Sequence, residues 1–385
     1  MRPTATSAPP ERRLRAGIVG GGRGAFIGSV HRLAAELDGQ AQVVAGAMSS
    51  HPETARASAA AWFLERAYTS YEEMARAESA DANGIDFVII ATPNHLHYPV
   101  ARAFLAEDIH VICDKPLALT VAEGEELVRL VEAGTTLFAL THTYTGYPAV
   151  REARALVRGG QLGDMRKVLV EYTQDWLMEP LERGGNRQAE WRTDPARAGI
   201  GGAVGDIGTH AANLLEFVTG ARIEAVCADL SSFVAGRRLD DDANMLVRLE
   251  GGAKGTLTCS QIACGEENRL SLRVYGTRAG LEWHQQEPNT LIFKPAGKPW
   301  ELRRTGHGYM SAPAQAAVRT PPGHPEGYLE AFANVYRGFI EDVRRAAKGQ
   351  APLRDYPGVE DGLRGLRFIA QAVASSRAGS AWMRL

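Results

Sequence analysis

Long apolar runs are missing from this 385-residue chain. No stretch reaches the ~18 apolar residues that a bilayer-spanning helix needs, so no membrane span is expected. Cysteine is scarce: Cys113, Cys227, Cys259 and Cys264 are the only four. None forms a CxxC pair or another zinc-ligand spacing, which argues against a structural metal. Cys113, Cys227 and Cys259 lie in apolar or small-residue runs and read as buried thiols of a reducing compartment. An excess of one charge is lacking too. The net charge is −2, so no nucleic-acid or anionic-membrane partner is expected. The basic pairs Arg303–Arg304 and Arg344–Arg345 sit among acids and read as solvated faces.

What is present is an ordinary globular composition, 45% apolar and 23% charged. At ~100–200 residues per domain, such a chain has material for two cores. Residues 1–12 read as a disordered tail rich in Pro, Ser and Thr. Arg12–Arg13 before an apolar stretch raises the question of a twin-arginine export signal. Gly20, Gly21, Gly22 and Arg23 break that stretch, so a cytoplasmic location is the expectation.

From Leu14 onward, short apolar runs alternate with helical patterns. Strands are expected at Leu14–Val19, Gln42–Ala47, Phe87–Ala91, His110–Cys113 and Thr136–Leu140. Helices are expected between them, at Ile27–Leu37, Pro52–Leu64, Tyr71–Ala77, Pro99–Ala106 and Val121–Ala133. This order argues for a doubly wound parallel sheet over residues 13–142. The pattern then changes. Helices are expected at Pro148–Arg158 and Ala203–Val218, a half-exposed strand at Arg166–Thr173, and a series of further strands from Glu224 to Trp283. Gly251–Gly252 reads as a hairpin turn between two of them. Residues 143–385 are therefore expected to form an α+β domain with an open, mostly antiparallel sheet. Pro295–Pro325 is a Gly/Pro-rich excursion without assigned form, followed by helices at Gly327–Lys348 and Glu360–Ser376.

The first strand runs into Gly20-Gly21-Gly22-Arg23-Gly24-Ala25. Backbone this close to a pyrophosphate leaves no room for Cβ, and the following helix aims free N–H groups at the phosphates. A glycine cluster alone is a weak signal. Between a strand and a helix that open a βαβ series, it has the context of a Rossmann dinucleotide loop. Gly20, Gly22 and Ala25 hold the strict spacing, with Gly28 as the alternative third position. Phe26 and Ile27, where the chain enters the helix, join the expected cofactor contacts. An acid at the end of strand two would favour NAD over NADP. Here the sequence is Ala47-Met48-Ser49-Ser50-His51, and Ser49 and Ser50 can bond a hydroxyl or a phosphate, so NAD and NADP both stay open.

Two further motifs give the chain a family resemblance. One is Ala91-Thr92-Pro93-Asn94-His95-Leu96-His97 followed by Asp114-Lys115-Pro116. The other is Gly201-Gly202-Ala203-Val204-Gly205-Asp206-Ile207-Gly208-Thr209-His210. With the glycine turn they resemble the Gfo/Idh/MocA family of glucose–fructose oxidoreductase and inositol dehydrogenase, over nearly the whole chain. The resemblance implies an NAD(P)-dependent oxidoreductase acting on a hydroxyl of a sugar, glycoside, inositol or related polyol, working as a homodimer or homotetramer. It implies that Thr92, Pro93, Asn94 and His97 line the cofactor cleft. It also implies that Lys115 lies near the nicotinamide and that Asp206 and His210 complete the catalytic group. Asp114 stands where the family usually has Glu, and the glycine turn is longer than the compact family form.

The residues support that reading in their own right. Lys115 follows a parallel strand at the edge where such sheets bind ligands, and a cation there can stabilise an alkoxide. Asp206 and His210 lie four apart on an expected helix and share a face, which Asn213 and Phe217 continue. Histidine titrates near working pH and suits proton transfer from a hydroxyl. An ordinary surface pair is the bland alternative, and no third metal ligand accompanies His210. Tyr144, Trp176, Trp191 and Arg192 are candidate sugar contacts, with core packing an equal alternative for the tryptophans. Asp241 and Asp242 read as a solvated turn, and His307 and His324 as candidates for capping the cleft. Two rival functions keep the same fold: a glycoside-cleaving enzyme that oxidises transiently with a retained cofactor, and a non-catalytic dinucleotide-binding regulator. The set Lys115, Asp206 and His210 argues against the second.

Overall fold

The computed structural model describes residues 12–22 and 25–385. The expected tail, apart from Arg12, lies outside the described residues, as do Arg23 and Gly24 of the glycine turn. Six strands build the first sheet: β1 (Leu14–Gly20), β2 (Ala41–Ala47), β3 (Arg66–Ala67), β4 (Phe87–Ala91), β5 (His110–Cys113) and β6 (Phe138–Leu140). Their order is β3-β2-β1-β4-β5-β6 and every pairing is parallel. All of β4 is buried, because a central parallel strand is covered on both faces. Helices α1 (Phe26–Glu36), α2 (Pro52–Ala61), α3 (Tyr71–Ala80), α4 (His97–Leu105) and α5 (Val121–Ala133) connect the strands. Thr120 caps α5 in a reciprocal bond with Glu123. α2 ends short of the expected Leu64 because Phe63 takes a positive φ of 57°.

Strand order reverses between β1 and β4. A crevice opens there at the carboxyl ends of the strands. The glycine turn leaves β1 at this edge, Thr92–Asn94 leaves β4, and Asp114–Lys115 leaves β5. The three motifs, far apart in sequence, therefore share one rim.

The second sheet has nine strands: β7 (Met165–Thr173), β8 (Ile223–Ser231), β9 (Asp242–Leu249), β10 (Lys254–Ser260), β11 (Arg269–Gly276), β12 (Ala279–His284), β13 (Thr290–Pro295), β14 (Glu301–Arg304) and β15 (Met383–Arg384). The order is β14-β13-β12-β11-β7-β10-β9-β8-β15. Only the β7–β10 pair is parallel among the described residues. The glycines between β9 and β10 form the expected turn, both with positive φ. The Gly/Pro-rich excursion is more ordered than its composition suggests. It holds the end of β13, the charged edge strand β14, and a short helix.

One face of this sheet packs α6 (Pro148–Arg158), and beyond the small helices α7 (Arg187–Arg192) and α8 (Pro195–Ala198) it packs α9 (Thr209–Thr219). The chain then returns through α10 (Ala312–Ala316), α11 (Tyr328–Ala347) and α12 (Val359–Arg377). α11 packs on the first sheet, not the second: Phe332, Tyr336, Phe339 and Ile340 share a core with Ile18, Val30, Phe87 and Ile89. At roughly 1.5–3 kcal/mol per buried large side chain, this contact is too strong for a detachable tail. α12 bridges both cores. Val359, Leu363 and Leu366 join Val111 and Leu140, while Phe368, Ile369 and Val373 join the second core. Asp38 adds a polar clasp. Arg319 Nε donates to its Oδ1 at 2.7 Å and Arg337 Nε to its Oδ2 at 3.0 Å.

Candidate active site

The glycine turn is built as a cradle that side chains would fill. Gly20 and Gly21 have φ of +80° and +67°. A Cβ on Gly20 would lie 2.6 Å from Ala91 O, and one on Gly22 would lie 2.9 Å from Met48 O. A Cβ on Gly28 would lie 2.3 Å from Gly21 O, so Gly28, not Ala25, is the glycine that lets helix and turn touch. Ala25 occupies the N-cap of α1 with a methyl group that cannot cap, and the first turn carries no acid. The opening N–H groups of α1 are thereby left for an anion. Both observations fit a dinucleotide pyrophosphate.

Gly20, Gly22, Ala25, Phe26 and Ile27 line a cleft of about 1080 Å³ that continues between the two domains. That volume is at the upper end for small-molecule sites and suits a cofactor with a substrate beside it. Ser49 lines the cleft; Ser50 is exposed and does not, and Thr54 takes its place. Thr92, Pro93 and Asn94 line it as expected. Asn94 also donates from Nδ2 to Ala198 O at 2.9 Å, tying the first domain to α8. His97 differs from the expectation. It is fully buried behind the wall, its Nδ1 2.6 Å from Pro116 O and its Nε2 2.9 Å from Thr92 O. It braces the two rim loops against each other instead of facing the cofactor. Asp114, also in the lining, accepts from Thr141 Oγ1 at 2.9 Å and from the Lys115 amide at 2.9 Å.

Lys115 and Asp206 meet across the domain boundary. Lys115 Nζ donates to Asp206 Oδ1 at 2.8 Å and to Asp206 O at 2.5 Å. The other carboxylate oxygen accepts from Gln261 Nε2 at 2.9 Å and Arg192 Nε at 3.2 Å. Burial disfavours this carboxylate's charge, but the nearby Lys115 and Arg192 outweigh it and hold the pKa well below the usual range. Asp206 sits on a wide π-helical turn, Val204–Gly208, that runs into α9. Such turns are rare and concentrate at functional sites. Asp240 steadies this turn, its carboxylate accepting from Gly202 N at 2.6 Å and Val204 N at 2.7 Å.

His210, in the first turn of α9, lines the cleft one turn beyond Asp206. Burial and the Lys115 charge keep its ring neutral. Its Nδ1 lies 3.3 Å from His142 Nδ1, and its ring meets the edge of Tyr144 with centroids 5.0 Å apart. Burial and Lys115 likewise push His142 down to about 3. Asn213 and Phe217 do not continue the cleft-facing stripe. Only the start of α9 reaches the cleft, and Phe217 is covered by the Arg154 guanidinium at 4.0 Å.

Tyr144, Trp176, Trp191 and Arg192 all line the far end of the cleft. The Arg192 guanidinium lies 4.1 Å from the Trp191 ring and 5.7 Å from that of Trp176. Polar residues that carried no sequence signal complete this wall. Tyr144 and Tyr172 share a hydroxyl–hydroxyl bond. Tyr172 Oη donates to Asn268 Oδ1 at 2.8 Å, and Gln174 Nε2 donates to the same oxygen at 2.6 Å. His307 and His324 do not cap the cleft: His307 stacks on Tyr309, and His324 is exposed with Nδ1 near Pro321 O. Asp241 is not solvated either. It is buried and accepts from the amides of Phe233 and Val234 at 2.8 and 3.0 Å. Among the described residues, no three His, Cys, Asp or Glu side chains gather as metal ligands would. No helix among them is long and apolar enough to cross a membrane.

Comparison with known proteins agrees with this geometry. Residues 14–142 match an oxidoreductase family with an NAD-binding Rossmann fold, and residues 150–282 match the GFO/IDH/MocA C-terminal domain. An uncharacterized oxidoreductase, YfiI of Bacillus subtilis, is 33% identical over 96% of both chains. The levoglucosan dehydrogenase of Pseudarthrobacter phenanthrenivorans is 27% identical over 82% of both. A crystal structure of an inositol dehydrogenase homolog from Azotobacter vinelandii, with NADH and myo-inositol, superimposes with a TM-score of 0.90. It is 33% identical and covers 97% of this chain and 98% of its own. The chain belongs to the Gfo/Idh/MocA family of NAD-binding oxidoreductases.

Proposed function

We propose that this protein oxidises a hydroxyl of a neutral sugar or polyol, or reduces the matching ketone, with His210, Lys115 and Asp206 as the reacting group. The observation that carries the reading is the meeting of ammonium, carboxylate and imidazole in one cleft that begins at the glycine turn. NAD, held by the glycine turn, the start of α1 and Thr92–Asn94, supplies the hydride acceptor when bound. The chain's own residues manage the proton. His210 is neutral and takes the hydroxyl proton. Lys115 stabilises the alkoxide that forms, and Asp206 holds the ammonium in place. Trp176, Trp191 and Tyr144 offer flat faces to a ring, while Asn268, Gln174 and Gln285 offer donors and acceptors to its hydroxyls. The sugar-handling relatives support this substrate class.

The test is a sugar and polyol panel with NAD and NADP, following reduced nicotinamide. Lys115→Ala and His210→Ala should each lower kcat by about 10²–10⁴-fold with folding intact. Near-normal rates in either variant would overturn that residue's role. Sugar cleavage without net NADH formation would replace dehydrogenation with the transient-oxidation reaction.

A cytoplasmic setting is part of the proposal, supported by four cysteines that are all free thiols. So is a homodimer or homotetramer formed through the outer face of the nine-stranded sheet. Leu246, on β9, and Leu302, on the edge strand β14, are 49% and 64% exposed. Sedimentation showing only monomer at micromolar concentration would refute the assembly.

A further inference from the structure

Beside His210 stands a second buried histidine that the reaction above does not use. His142 follows β6, is 1% exposed, and its backbone is held on both sides. Its amide donates to Leu140 O at 2.8 Å, and its carbonyl accepts from Thr145 N at 3.1 Å and Thr145 Oγ1 at 2.8 Å. Its ring stands nearly perpendicular to that of His210, at 84°, with the two Nδ1 atoms 3.3 Å apart.

That contact admits one hydrogen. Two would set N–H against N–H, and none would face two lone pairs across a 3.3 Å gap too narrow to admit a water. The two rings must therefore adopt opposite tautomers. Lys115, Asp114 and Asp206 are the charged groups facing the pair, and Tyr144 and Tyr172 close on His210 with their rings. We propose that His142 is a positioning residue: its Nδ1 accepts the Nδ1 hydrogen of His210, which leaves Nε2 of His210 as the lone pair available to the substrate hydroxyl. The reverse arrangement would place a hydrogen on that nitrogen and remove the base. When Nε2 takes the hydroxyl proton, His210 becomes an imidazolium. Its Nδ1 hydrogen already points at a lone pair, so the new charge is stabilised and no proton moves to His142. His142 thus fills the place that a carboxylate takes behind the histidine of a hydrolytic triad. The inference rests on His210 as proton acceptor.

The tautomers can be read on the free, full-length protein, independently of turnover. Two-bond ¹⁵N–¹H spectra of ¹⁵N-histidine protein, assigned with H142N and H210N, should show His210 protonated at Nδ1 and His142 protonated at Nε2. His210 protonated at Nε2 would overturn the proposal. In turnover, H142L fills the space without an acceptor and should lower kcat about 10- to 100-fold, the worth of a hydrogen bond to a charged group, leaving the KM for NAD unchanged. H142N places an amide oxygen near the lost Nδ1 and should recover most of that loss. Equal kcat in H142L and wild type, or equal loss in both variants, would overturn it. If H142L does not fold, the wild-type spectrum still decides. Failure of the wider reading is detected separately, as full activity of the His210→Ala variant.

Discussion

Gly28→Ala sets helix propensity against steric fit at the cofactor cradle. Gly28 is the third residue of α1. In an open helix, exchanging glycine for alanine gains up to about 1 kcal/mol. Here the added Cβ would stand 2.3 Å from Gly21 O, 2.4 Å from its Cα and 2.7 Å from its C. All three are backbone atoms, so no side chain can rotate away. Restoring van der Waals contact near 3.5 Å requires the turn or the helix to move by about 1 Å, and such overpacking costs roughly 1–3 kcal/mol. The displaced atoms belong to the turn that the proposed function assigns to the phosphates. We expect sterics to win, with a net loss of about 1–2 kcal/mol and a Tm lower by a few degrees. The NADH dissociation constant should rise at least about tenfold, since 1.4 kcal/mol is a factor of ten. NADH fluorescence titration and thermal unfolding measure both. Gly308→Ala is the control, because a Cβ there meets no atom within 4 Å. A Gly28→Ala protein that melts higher and binds NADH as tightly as wild type would refute the argument.

Burial pushes the Asp240 carboxyl up to about 6. The folded state then binds this proton more tightly than the unfolded chain, so its contribution is complete below about pH 4 and is lost as pH rises through 6. Relative to the non-titrating Asp240→Asn, wild type should lose about 3 kcal/mol between pH 4 and 7; urea midpoints giving a pH-independent gap would refute this. Asp38 works in the opposite sense. Burial opposes its charge, but Arg319 and Arg337 outweigh burial and hold it down to about 2. Its stabilisation is present above about pH 4 and fades as pH falls toward 2. Asp38→Asn should cost up to about 2 kcal/mol at pH 7, discounted for partial solvent access, with the penalty gone near pH 2. An equal penalty at both pH values would dismiss the clasp.

The first domain was readable because its physics is local. A strand covered on both faces must be continuously apolar, as Phe87–Ala91 is, and the turn that carries a phosphate must be glycine-rich. Lys115, Asp206 and His210 were readable because their motifs are contiguous. α11 and α12 were visible as amphipathic helices, but amphipathicity says only that a face is buried, not against which sheet. The polar groups around the far end of the cleft were hidden for a related reason. Gln174 follows β7, Gln261 follows β10 and Asn268 precedes β11. They become neighbours only because β7 lies between β10 and β11 in the sheet. No periodicity or spacing marks a single amide at a strand end. His142 was hidden by its own surroundings, since a histidine among Thr141, Thr143 and Tyr144 reads as loop.

Asp206 shows why the pair spacing alone understates the site. The four-position separation of Asp206 and His210 is also the spacing of an ordinary helical surface pair, worth a few tenths of a kcal/mol. Here the carboxylate is largely enclosed, and a carboxylate withdrawn from water is tolerated only when its oxygens are satisfied. Its donors come from three separate segments: Lys115 from the first domain, Arg192 from the end of α7, and Gln261 from just after β10. Satisfying one charge therefore draws both domains and α7 to a common point, with the Arg192 guanidinium set between the rings of Trp191 and Trp176. The same bonds that settle the carboxylate fix where the ammonium stands and where α7 lies over the cleft. Stability and the proposed chemistry at this point are not separable, because removing the carboxylate would strand the Lys115 and Arg192 cations in the cleft.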